Sequence, residues 1–139
     1  MYYQIKIKYN KLKENGLQKT VSETYVTNVD FFSQAEETGL KLIADYGLED
    51  ADVYSIQRMP SLDSIIEDDT NSSFDTYYKV TIAETLVKDD GSEEEKRFDI
   101  LVLAEDAMGA MVSTNKFISK SAADLSVVTI KKTKIEDVI

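Results

Sequence analysis

The stretch "TYYKVTIAETLVKDDGSEEEKRFDILVLAED", residues 76–106, decides the fold because it repeats the opening of the chain, "MYYQIKIKYNKLKENGLQKTVSETYVTNVD", residues 1–30. A shift of 75 positions sets Tyr2 and Tyr3 on Tyr77 and Tyr78, Ile5 on Val80, Ile7 on Ile82, and Asn15-Gly16 on Asp90-Gly91. Ala35 then meets Ala110, and Ile43 meets Ile118. One residue is lost after this point, and at an offset of 74 Val53 meets Val127, Ile56 meets Ile130, Asp63 meets Asp137 and Ile65 meets Ile139. The matched positions are apolar or turn-forming and keep their order, which marks an internal duplication.

Each copy reads alike. "YYQIKIKY" alternates, with Ile5, Ile7 and Tyr9 on one face and Gln4, Lys6 and Lys8 on the other, as a half-buried strand does. Asn15-Gly16 and Asp90-Gly91 supply the positive φ of a tight hairpin. "KTVSETYVTNV" and "KRFDILVLAE" are the return strands. "FFSQAEETGLKLIADYG" follows as a helix with Phe32, Ala35, Leu40 and Ile43 at helical spacing, Ser33 and Glu36 as a capping box, and Gly47 as its stop. Its partner helix, "DAMGAMVSTNKFISK", carries Met108, Met111, Val112, Phe117 and Ile118, and is weakened by Gly109 and Thr114. "ADVYSIQRM", ended by Pro60, and "LSVVTIKKTKI" are third strands.

The expected fold is therefore α+β, two tandem ββαβ repeats forming one pseudo-twofold compact domain. Repeat 1 spans residues 1–66, an acidic linker 67–73, and repeat 2 residues 74–139. One repeat alone buries too little apolar surface for comfortable stability, so two are expected to share a core. The tail Ile135–Ile139, matched to "LDSI" at 62–65, is expected to be a structural repeat element.

At these residues the chain resembles the DUF4494 family. The resemblance rests on Glu14, Asn15, Gly16, Gln18, Lys19, Val21, Glu23, Tyr25, Phe32, Ser33, Ala35, Glu36, Ile56 and Arg58, with Gln57 departing from the family's usual lysine. It covers essentially the whole chain and implies a setting in Bacteroidetes bacteria or their phages, including crAss-like phages. It implies no particular activity.

Chemistry is sparse. The chain has no histidine and no cysteine, which removes the commonest general base, the thiol nucleophile and the preferred transition-metal ligands. No phosphate-binding glycine loop or nucleophile elbow occurs, and the reading is not an enzyme, with no cofactor. The runs Glu67-Asp68-Asp69, Asp89-Asp90 and Glu93-Glu94-Glu95 lack the spacing of a cation loop and read as solvated linker and hairpin tips. No apolar stretch is long enough to span a bilayer and no secretory leader is read, so a cytoplasmic location is expected, that of the host cell if the chain is phage-encoded.

The remaining candidate is a binding face of Tyr2, Tyr3, Lys6, Lys8, Tyr25, Tyr77, Tyr78, Lys131 and Lys132, to which Lys11, Lys13 and Lys19 add charge around the first hairpin. Aromatics on a sheet beside lysines can hold single-stranded nucleic acid by stacking and phosphate contact. The same pattern also arises when tyrosines close a core and lysines coat its outside. The net charge of -10 favours the second explanation. The expected function is a non-enzymatic, phage-associated accessory protein acting through a protein partner or self-association. A single-stranded nucleic-acid-binding accessory of phage replication or transcription is the second reading, and a nucleotide-sequestering protein with a pocket between the repeats the third.

Overall fold

A computed structural model describes residues 1–67 and 74–139. In chain order the elements are β1 (Tyr2–Leu12), β2 (Gln18–Asn28), α1 (Phe32–Asp45), β3 (Asp52–Arg58), β4 (Leu62–Ile66), β5 (Thr76–Val87), β6 (Glu93–Ala104), α2 (Ala107–Ser119), β7 (Asp124–Lys132) and β8 (Ile135–Val138). The fold is α+β, with two helices and two four-stranded sheets, ordered β3-β1-β2-β8 and β4-β6-β5-β7.

The duplication is visible bond by bond. In the first hairpin Gly16 N donates to Lys13 O and Lys13 N to Leu17 O, and in the second Gly91 N donates to Lys88 O and Lys88 N to Ser92 O. Within each tight hairpin only the glycine has positive φ, +80° and +82°, while Asn15 and Asp90 do not, so each loop is a type I turn closed by a glycine bulge. Side-chain oxygens of Asn15 and Asp90 take the N–H groups of Leu17 and Ser92, which holds the turn. The β1–β3 ladder slips between Lys6 and Ile7, and the β5–β7 ladder slips between the corresponding Thr81 and Ile82.

The fourth strands overturn the expected boundaries. β4 belongs to repeat 1 by sequence yet pairs parallel with β6, while β8 belongs to repeat 2 and pairs parallel with β2. The compact units are Met1–Pro60 with Lys134–Ile139, and Ser61–Thr133. Chain direction keeps each fourth strand from the place beside the second strand of its own repeat. β3 runs antiparallel to β1, as β2 does, so a strand parallel to β2 is also parallel to β3. Parallel neighbours in one sheet need a crossover of about a dozen residues or more. Only Met59, Pro60 and Ser61 link β3 to β4, and only Thr133 and Lys134 link β7 to β8.

The shorter second link also corrects the alignment. Leu62 pairs with Asp99 as Ile135 pairs with Thr24, and Ile65 with Leu101 as Val138 with Val26. The structural offset there is 73, so Leu62 corresponds to Ile135 and Ile65 to Val138, not to Ile139. Glu67, read as the start of a linker between repeats, lies within the second unit, where it accepts a hydrogen bond from the Tyr77 hydroxyl. The rest of that segment, 68–73, falls outside the described residues.

Each helix covers one face of its sheet with small residues. In the first unit Ala35, Gly39 and Leu42 pack on Tyr3, Ile5, Ile7 and Tyr25. In the second Ala110 and Thr114 face Tyr78, Val80, Ile82, Ile100 and Val102. The buried Thr114 hydroxyl donates to Ala110 O at 2.8 Å, which satisfies it within the helix. Leu40, Met108, Met111 and Val112, expected among the inward positions, are exposed. Small residues stand where the helix backbone comes closest to the sheet, as at Gly39, where an added Cβ would lie 2.8 Å from Val53 Cγ2. The faces opposite the helices are not wholly polar: Val26 on β2 and Leu101 on β6 are fully buried there.

The first helix also starts differently from the expected box. Gln34 accepts from Asp30 N at 3.1 Å and Phe31 N at 3.0 Å, the work assigned to Ser33 and Glu36. At its end Gly47, φ +59°, donates to Ala44 O, and Leu48 N donates to Ile43 O, the paired bonds of a left-handed stop. On α2, Asp106 accepts from Gly109 N at 2.7 Å as N-cap.

Candidate functional site

Four of the five tyrosines in the expected binding face do not offer rings to a ligand. Tyr3, Tyr25 and Tyr78 lie under the helices, and Tyr77, on the opposite face of β5, is buried and hydrogen-bonded to Glu67. Tyr2 is half-buried on the other face of β1, beside half-buried Lys6 and exposed Lys8. Lys8 Nζ sits 5.5 Å from the ring of Tyr54, whose hydroxyl is 2.6 Å from Ser22 Oγ. Lys131 and Lys132 are exposed on β7, a strand of the second unit, opposite Lys79 and Tyr78 of β5. The nine residues are thus dispersed among core, opposite face and sheet edge.

One cluster around the buried Tyr25 was not anticipated. Burial raises the Tyr25 hydroxyl's pKa, and the nearby carboxylates of Glu23 and Glu136 raise it further. Partial burial and the same two carboxylates raise Tyr9 as well. Alternation puts Tyr9, Glu23 and Tyr25 on one face, a relation legible in the sequence, but Glu136 reaches it only through the exchanged β8.

The surface that gathers charge and exposed apolar groups is the tip of the β1–β2 hairpin. The strands run on past the helix, so residues 11–20 are exposed. Lys11, Leu12, Lys13, Glu14, Asn15, Lys19 and Val21 line a concavity of about 610 Å³. Leu12 and Leu17 are 69% and 63% exposed there. Residues 8–19 hold four lysines and one glutamate, a local net charge of +3 in a chain of net charge -10. The corresponding residues 83–94 hold Glu84, Asp89, Asp90, Glu93 and Glu94 against Lys88, a net of -4. Val87, the counterpart of Leu12, is 72% exposed at this second tip. Hydrogen bonds from the hydroxyl and N–H of Ser92 hold the Asp90 carboxyl below the ordinary carboxylate range, so it stays charged.

This arrangement can dock a complementary surface: apolar side chains at the summit, cations around them, and a backbone fixed by the turn. The tip lysines were visible in the sequence. Leu12, Leu17 and Val87 were missed, although large aliphatic residues beside an Asn-Gly or Asp-Gly turn are the signal that would have found them. Among the described residues no group of three or more metal-ligating side chains converges. Nor is any described helix long and apolar enough to cross a membrane.

The whole chain, residues 1–139, matches the family described as "Domain of unknown function (DUF4494)". The chain belongs to the DUF4494 family. No curated protein and no solved structure matches it. In this DUF4494 chain five of the fourteen residues behind the resemblance have structural roles, while Glu14, Lys19 and Val21 line the hairpin-tip concavity. Asn15 and Gly16 make the turn, Ala35 packs the helix, Tyr25 closes the core and Ile56 packs beside it.

Proposed function

We propose that this DUF4494 protein is a non-enzymatic accessory protein that acts in a cytoplasm, in a phage-associated setting, by docking a protein partner on the β1–β2 hairpin tip. The observation that carries the reading is the basic, apolar-tipped hairpin, net +3, projecting from a chain of net charge -10. An acidic protein surface is the complementary partner, since cations around exposed leucines give both steering and burial. Single-stranded nucleic acid is the second reading, supported by the same lysines; the burial of Tyr3, Tyr25, Tyr77 and Tyr78 takes away four of the stacking rings it named.

The test is affinity capture from native-host or infected lysate with the wild-type chain and a Lys11→Glu, Lys13→Glu, Lys19→Glu variant. A stoichiometric partner retained by the first, lost with the second and eluted by salt is the expected result. Identical capture by both removes the hairpin from the function. A gel shift with single-stranded DNA and RNA that weakens linearly in log salt, and vanishes in the variant, transfers the site to the second reading.

A further inference from the structure

We propose that the acidic surface docking on the basic β1–β2 tip is the β5–β6 tip of a second copy of this chain. The inference rests on the reading of the β1–β2 tip as a protein-docking site and names its partner. The two tips descend from one duplicated hairpin and keep the same backbone. The turn hydrogen bonds coincide residue for residue, and Gly16 and Gly91 share the same positive φ. Their charges have diverged in opposite directions, to +3 and -4 over matched residues. Both retain an exposed aliphatic side chain at the same place, Leu12 on one and Val87 on the other.

Two copies of a chain of net charge -10 repel each other at long range. A basic tip facing an acidic tip is an approach in which the local field is attractive, and it nearly neutralises both. Leu12 and Leu17 then meet Val87, burying apolar surface that each copy alone leaves in water. A polyanion on the basic tip would leave the acidic tip without a role. The contact is heterologous, one tip against the other, so each copy offers both halves of the interface.

Charge exchange tests this with purified protein. One variant carries Lys11→Glu and Lys13→Glu, making both tips acidic; the other carries Glu93→Lys and Glu94→Lys, shifting the second tip towards positive charge. All four positions are exposed, so circular dichroism and urea midpoints are expected to match the wild type. In sedimentation velocity at low salt the wild type self-associates, each variant alone runs as a monomer, and their equimolar mixture associates. The association weakens roughly tenfold or more at high salt, because screening shortens from about 30 Å at 0.01 M to about 3 Å at 1 M. A monomeric wild type overturns the inference, as does association that both variants retain. A monomer whose basic tip still captures a foreign acidic protein overturns this inference and leaves the docking function standing. Lysate capture unaffected by the tip lysines overturns both.

Discussion

Gly39 is where the helix-on-sheet packing of the first unit can be tested most sharply. A Cβ at that position would lie 2.8 Å from Val53 Cγ2 and 3.1 Å from Ile5 Cγ2. Both methyls belong to β-branched side chains on paired strands, which have few rotamers in which to retreat. Gly39→Ala therefore sets two effects against each other. Alanine favours the helix by about 1 kcal/mol, whereas overpacking against stiff neighbours costs about 2–3 kcal/mol, leaving a net loss of about 1–2 kcal/mol. The other unit carries a buried Thr114 at the matching place, but there it faces Val80 where the first unit has the bulkier Ile5. Urea unfolding followed by circular dichroism and tyrosine fluorescence measures the change. The same substitution made on a Val53→Ala background should lose most of its penalty, since the 2.8 Å contact is gone and only the 3.1 Å approach to Ile5 opposes the helix gain. A stabilising Gly39→Ala in the wild-type background would refute the close approach of helix and sheet.

Other outcomes follow from the exchanged strands and from buried polar groups. Fragments 1–66 and 74–139, cut at the sequence repeat, each carry a strand that cannot reach its own sheet. Each alone should show weakened strand signal, and mixing them should restore it; a fully folded monomeric 1–66 fragment would contradict the exchange. Tyr25 and Tyr9 have raised pKa values, so the folded state holds their protons more tightly than the unfolded state. Their stabilisation is complete below the unfolded tyrosine value of about 10 and is lost as pH rises above it, by up to about 1.4 kcal/mol per pH unit for the buried Tyr25 and by less for the solvent-screened Tyr9. Tyr25→Phe should flatten that alkaline decline in urea titrations; an unchanged slope argues against a proton held there. Ser64 Oγ is buried on β4 without a partner, so Ser64→Ala should be neutral or stabilising by up to about 1 kcal/mol in the same assay. A loss above about 1 kcal/mol would mean that the hydroxyl is bonded.

The duplication, hairpins, helices and third strands were legible because each has a local signature. Alternation placed Ile5, Ile7, Val80 and Ile82, and Gly16 and Gly91 marked turns whose side chains set only their vicinity. The helix faces were legible in part: Ala35, Ile43 and Phe117 pack inward as expected, whereas Leu40, Met108, Met111 and Val112 are exposed and Gly39, Ala110 and Thr114 are buried. Closeness of approach selects small residues there, and that distance is a tertiary quantity. The tyrosine face failed for a related reason. Strand alternation fixes which residues share a face, but not whether a helix covers that face.

The strand exchange shows how much of the architecture depends on chain direction. Within each repeat the segment after the third strand reads as an ordinary short strand, and nothing in its residues names its partner. Two facts bear on it: β3 runs in the same direction as β2, and the following link holds two or three residues. That link is too short for a parallel crossover, so the segment cannot take the place beside β2 in its own sheet, and the strand found there comes from the other repeat. A solitary repeat could satisfy its β2 edge only with a segment from another repeat. In the duplicated chain that dependence is met within one molecule: Ile135 and Val138 fill the place that Leu62 and Ile65 fill in the other sheet. The edge of each sheet is thus set by the repeat at the opposite end of the sequence. A destabilising change in β8 is therefore a change in the first unit, and stability effects at the C-terminus should be read against Thr24–Val26, the strand residues that receive it.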